Sequence, residues 1–268
     1  MKPYDLKPTY DNLLEMYKKN VIGRNADVFC FIAIVNSIEA GCSIAFDGNW
    51  GSGKTFFVKQ VKMIMDAHNP FIASECEEDR DEIISIRNHY YRNKAFDIHP
   101  QVCVYYDAWG NDNDEDPIMS LVYAIINNVD TDYSFKNTDY IKAGASIMEA
   151  FTGRNSTKVV ENLKNSTPFD TMKEHRDVKA LVDEFLESLL PERGNRLIVF
   201  VDELDRCKPS YAVRLLERIK HYFDHDRITF AFSVNTNELH HTIKKHYGDE
   251  FDGSRYLGAG RAALQPDL

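Results

Sequence analysis

The segment GNWGSGKT, residues 48–55, constrains this chain more than any other stretch, because it fills every fixed position of the pattern G-x-x-x-x-G-K-[ST]. A loop of this kind works only between a strand that delivers it and a helix that leaves from it. Its successive backbone N–H groups must converge on an anion, and the helix N-terminus adds its positive end to the same point. Both flanks are present. CSIAFDG (42–48) has the apolar run of a buried strand ending in a glycine where the chain must turn. From Lys54 to about His68, the residues Phe57, Val58, Val61, Ile64 and Met65 recur at three- and four-residue spacing, which lays one helix face on a sheet.

The chemistry expected of the loop follows from its atoms. Gly48, Asn49, Trp50, Gly51, Ser52, Gly53, Lys54, Thr55 and Phe56 would surround a phosphate chain, with Lys54 on the β and γ phosphates and the Thr55 hydroxyl on magnesium. The implied ligand is a magnesium-bound nucleoside triphosphate. A second segment supports the first: RLIVFVDELDR (196–206) is an apolar strand ending in two acids, the form of a Walker B segment. Asp202 at the strand tip would orient the Mg2+ shell, and Glu203 would polarise an attacking water as general base. Arg206 has two readings, a charge near the γ-phosphate in its own site or across a subunit boundary, or a salt bridge with Asp205 or Glu203 that holds the loop. Asn235 also has two, a polar sensor for water or γ-phosphate, or the cap of the helix that NTNE opens.

The rest of the chain supplies the layers. Strands are expected at 101–108, 197–201 and 228–234, alternating with helices that start at Pro117, span 178–189 and 209–223, and begin again near Asn237. Strands alternating with helices imply a mostly parallel sheet covered on both faces. Residues 1–24 read as an N-terminal helical segment, with DNLLEMYKKN (11–20) as a helix, and a second helix capped by Asp27 runs to about Ala40. The main domain is expected over 25–257, with insertions near 69–100 and 130–175, and 258–268 as a non-native or disordered tail. The strand at 101–107 lies between the loop strand and the acid strand, and NKxD, the guanine signature, is absent. ATP is therefore expected over GTP.

Several features exclude other classes. A net charge of −10 opposes the broad basic surface that a nucleic-acid backbone demands. The five cysteines stand far apart without a CxxC pair and read as reduced thiols of a cytoplasmic protein. No stretch approaches the ~18 apolar residues of a membrane span, and Val28–Ile38, the best run, reads as a buried helix. NDNDED (111–116) has Pro117 where a calcium loop needs glycine, and reads as a solvated acidic loop. His221 and His225 read as surface residues of a helix end, and Trp109 is expected to fill the core.

Four motifs in order carry a family resemblance: NWGSGKT with its tryptophan before the second glycine, YYDAWG (105–110), VDELDRCKP (201–209) and YGDEFDGSRYL (247–257). Over residues 25–257 the chain resembles the KAP family of P-loop NTPases. The resemblance implies a RecA/ASCE-like α/β core with helical insertions and an ATPase activity, in some bacterial members tied to phage exclusion or to membranes. Many members insert membrane helices between the two Walker motifs; this sequence has none there. Three functions follow as expectations: an ATPase that drives a conformational or assembly switch, with a homo-oligomer or protein partner; a nucleotide-binding regulatory module with little or no hydrolysis; and a small-molecule kinase, which Glu203 and the long insertions disfavour.

Overall fold

In the computed structural model the described residues are 7–21, 23–71, 78–90, 97–114, 116–129, 139–152, 178–191, 193–248 and 261–264. Two of their strands, β3 (Leu197–Asp202) and β4 (Ile228–Val234), are buried at every position, as unbroken runs of apolar residues are when a parallel sheet is covered on both faces. Around them stand β1 (Cys42–Asp47), β2 (Val102–Asp107) and the short β5 (Arg261–Leu264), in the order β2-β3-β4-β1-β5 with every pair parallel.

The register decides what meets at the carboxyl edge. Asp107 lies opposite Asp202, Asp202 opposite Ser233, and Ser233 opposite Phe46, so β1, β2, β3 and β4 end level with one another. The glycine-rich loop that leaves β1 and the acids that end β3 therefore emerge on one edge, with β4 between them. The crevice outside the carboxyl ends of such strands is where open α/β sheets bind their ligands.

Helices cover both faces, as the alternation of the sequence requires. One face carries α1 (Tyr10–Lys19), α2 (Asn25–Asn36), α3 (Lys54–Ala67) and α4 (Arg80–Tyr90). Their core includes Tyr17, Val28, Phe29, Ile32, Val61 and Ile64, and it reaches Ile44, Cys103, Ile198, Phe200 and Ala231 on the sheet. The other carries α5 (Pro117–Val129), α6 (Asp139–Thr152), α7 (Val178–Leu189), α8 (Pro209–Tyr222) and α9 (Thr236–Tyr247), packed on Val104, Tyr106, Val199, Val201 and Phe230. Among the described residues no helix is long and apolar enough to cross a membrane.

The structure departs from the sequence reading at the start of α2 and in the tail, and it gives form to the two expected insertions. The segment 69–100 contains α4, whose Ile83 is fully buried although its surroundings show no clean period. Within 130–175 the described part forms α6, which packs on α5 and α7; the remainder lies outside the described residues. Helix α2 starts at Asn25, so Asp27 sits in its first turn and not at its cap. In the tail 258–268, expected to be non-native or disordered, residues 261–264 run as β5 along β1. Backbone pairing of this kind satisfies an otherwise open strand edge and asks little of the side chains, which is why a patternless sequence gives no sign of it. Most of 247–257 lies outside the described residues.

Candidate functional site

Between β1 and α3 the chain makes its turn on glycine. Gly51 and Gly53 have φ of +79° and +83°, left-handed conformations that cost an L side chain about 1–2 kcal/mol, and Gly53 sits directly before the first residue of α3. The turn brings the loop to the N-terminal end of α3, where the helix dipole favours an anion. Beside the loop opens a cleft of about 460 Å³, lined by Gly51 to Thr55 together with Asp202, Glu203, Asp205, Arg206 and Ser233, and by Pro8 and Arg24 from the N-terminal part.

Lys54 bends back over its own loop. Its Nζ donates to the carbonyl oxygens of Gly48 at 2.6 Å and Asn49 at 3.1 Å. Burial pushes its pKa down from the ordinary lysine value, opposed by Asp205 and Asp202. These carbonyl contacts are ones an incoming phosphate oxygen can exchange for a charge-assisted bond. Arg24, just before α2, donates to the Ser52 carbonyl at 3.1 Å and so steadies the loop from outside.

The acids are held by long-range contacts. Asp202 is buried; its Oδ1 accepts its neighbour's N–H (Glu203) at 3.0 Å, and its Oδ2 accepts the Tyr105 hydroxyl at 3.0 Å. Burial, with Asp202 adjacent, pushes the Tyr105 phenol well above its ordinary range, so it remains a donor. Glu203 has φ +58°, one of two positive values among the described non-glycine residues, where β3 breaks into the turn Leu204–Arg206. Burial raises its carboxyl pKa, while the Arg206 guanidinium, 2.9 Å from Oε1, lowers it. Asp205 accepts the Trp50 indole N–H at 2.6 Å, a bond from the acid turn to the glycine-rich loop.

Arg206 thus takes the salt bridge that the sequence left open, and its partner is Glu203. Its guanidinium also lies over two indoles, 5.8 Å from the Trp50 ring and 5.5 Å from the Trp109 ring. Trp109, expected in the core, is half exposed at 50%. It sits in the turn after β2, outside the layers, where the cation–π partner replaces burial. Asn235 caps α9: its Oδ1 accepts from the N–H groups of Asn237 and Glu238, and it is not among the residues lining the cleft. The cap reading accounts for that contact.

Sequence reasoning did not find Tyr105, Ser233, Arg24 or Asp47, and it named Asp205 only as an alternative partner of Arg206. Asp47 receives the Thr236 N–H at 2.9 Å and ties the end of β1 to α9. Ser233 has a fully buried Oγ with no hydrogen-bond partner among the described residues. The only available signal was register: Asp107, Asp202 and Ser233 fall opposite one another only once β2, β3 and β4 are paired.

A threonine hydroxyl and a strand-tip carboxylate on the same cleft form an oxygen-donor pair of the kind magnesium shares with phosphates, and the lysine beside the glycine-turned helix start supplies a cation for the phosphates. The residues present fit a magnesium-bound nucleotide. Comparison with known proteins agrees with the geometry. The KAP family P-loop domain matches residues 30–258. A curated relative, the uncharacterized protein MJ0182 of Methanocaldococcus jannaschii, is 35% identical over 98 residues, which cover 32% of this chain and 50% of that protein. The match therefore spans half the relative's length.

Proposed function

Since the chain belongs to the KAP family of P-loop NTPases, a family whose loop binds nucleotide, we propose that it binds ATP with magnesium and hydrolyses it to drive a conformational or assembly switch. The resemblance sets phage defence, in bacterial members, as a biological setting for such a switch. The observation that carries the reading is the shared cleft, where Lys54 and Thr55 from the loop meet Asp202 and Glu203 from the end of β3.

In this reading the loop N–H groups and Lys54 take the phosphates, and Thr55 and Asp202 would hold magnesium, which would neutralise phosphate charge. Glu203 accepts a proton from the attacking water. Its backbone fixes it at the strand tip, and its raised pKa makes it a stronger base than an ordinary glutamate. Arg206 must let go of Glu203, or move with it, for that carboxylate to reach water.

The same salt bridge supports a second reading, a nucleotide-binding regulatory module in which Arg206 keeps Glu203 occupied. Glu203→Gln separates the two. An ATPase loses about 10²- to 10⁴-fold in phosphate release while keeping its ATP affinity. A wild-type protein that binds ATP by calorimetry, releases no phosphate and is unaffected by the substitution is instead the regulatory module.

A further inference from the structure

Two adjacent tyrosines on β2 serve opposite faces of the sheet, and their hydroxyls have different surroundings. Tyr106 faces the α5–α9 core, where its hydroxyl shares hydrogen bonds with Ser120 and Tyr211, all buried. Those three polar groups satisfy one another away from the cleft. Tyr105 faces the α3 side, among the residues packed on that core, and its hydroxyl has left the apolar layer to reach Asp202 Oδ2 at 3.0 Å.

We infer that Tyr105 is a positioning residue for Asp202, fixing the carboxylate in the orientation that magnesium-bound nucleotide requires. The inference rests on the reading of Asp202 as the metal-side carboxylate. Register supplies the reach: Tyr105 lies opposite Phe200 and Asp107 opposite Asp202, so Tyr105 and Asp202 are diagonal neighbours on one face. An aromatic side chain spans that diagonal, which is about 7–8 Å between adjacent strands.

The two hydrogen bonds on Asp202 act together. One oxygen is held by its neighbour's backbone N–H and the other by the phenol, so rotating the carboxylate breaks both. Each oxygen accepts one bond and retains a lone pair for a ligand. The tyrosine is itself anchored, with its ring in the apolar layer and the Lys59 ammonium 4.4 Å from the ring centroid. Phenylalanine would pack the same ring. The hydroxyl is what the core does not need.

Tyr105→Phe tests this, with ATP affinity measured by calorimetry in magnesium chloride and again in EDTA. The expected result is that the gain in affinity conferred by magnesium falls about 10- to 100-fold, the usual cost of losing a group that orients a metal ligand. Affinity in EDTA stays at the wild-type value. In an Asp202→Ala background the same substitution has no further effect, because the group it positions is gone. Equal losses with and without magnesium would show a purely structural tyrosine and overturn the inference, as would an unchanged magnesium gain in Tyr105→Phe. If magnesium does not strengthen ATP binding to the wild-type protein, the assignment of Asp202 itself fails first, and the inference with it.

Discussion

The glycine-rich loop and the acid turn line one cleft but are built on opposite principles. From Gly48 to Gly53 the loop works through backbone: its glycines supply the conformation, and its only charged side chain, Lys54 at the helix start, rests on the loop's own carbonyls. From Asp202 to Arg206 the acid turn works through side chains: Asp202 is tied to Tyr105 and Asp205 to Trp50, Glu203 pairs with Arg206 of its own turn, and Arg206 lies across two indoles. The contrast separates a receptive half, whose donors can be re-aimed at phosphate, from a preorganised half, whose charges are set before any ligand arrives. Charges fixed in advance usually stabilise a transition state more than any other single feature of a site; here the Glu203–Arg206 pair is the one part that must rearrange for the carboxylate to reach water.

Lys54→Ala breaks the receptive half with the largest expected effect. Calorimetry with ATP and magnesium should show binding abolished, or turnover lost, in a protein that still melts cooperatively, because the lysine serves the loop and no hydrophobic layer depends on it. Unchanged affinity and turnover in the folded variant would show that the loop does not receive phosphate through this residue.

The two halves also differ in how far the sequence reveals them. The loop is legible because its requirements are local: glycines at fixed spacing, a strand before and a helix after, all contained in residues 42–68. The acids are legible as a strand ending, since Leu197–Val201 is an unbroken apolar run. Their partners are not. Tyr105 is 97 residues from Asp202, and Trp50 is 155 residues from Asp205, separations that only sheet order closes. For the same reason Trp109 misleads: a tryptophan beside a buried strand suggests core, and its place over Arg206 becomes visible only when β2 and β3 are paired. Helix α4 shows the converse, a helix made recognisable by docking on α1 and α3 and not by its own apolar period.

Arg206→Ala probes the preorganised half with an intermediate effect. Burial raises the Glu203 pKa and Arg206 lowers it, so removing the guanidinium leaves burial unopposed and moves that pKa further up. The acid limb of kcat/KM, with Glu203 as the base, should shift to higher pH in the variant. With Glu203 bonded to the arginine of its own chain, mixing Arg206→Ala with Lys54→Ala protein should restore no turnover. Restoration on mixing, with an unmoved acid limb, would place the working arginine across a subunit boundary.

Trp50→Phe carries the smallest effect and tests a hydrogen bond that joins the halves. The indole N–H meets the buried Asp205 carboxylate at 2.6 Å, yet Trp50 is 54% exposed, so water competes for the donor. A hydrogen bond to a charged group contributes about 1.5–3 kcal/mol, and exposure of its donor places this one at the low end. Each kcal/mol corresponds to roughly 2–4 °C in Tm for a domain of ~150–250 residues. The phenyl ring keeps the contact with Arg206 but loses the donor, so a fall of a few degrees in calorimetric Tm is expected. ATP affinity should fall by less than for Lys54→Ala, because the loop's glycines still set its backbone. The chain has two tryptophans, both beside Arg206, so the fluorescence of Trp50→Phe reports Trp109 alone. If nucleotide alters that signal, the acid turn responds when the loop is filled, and the two halves are coupled by more than the Trp50–Asp205 bond. A variant with unchanged Tm would show instead that this bond holds nothing that the glycines and the strand register do not already hold.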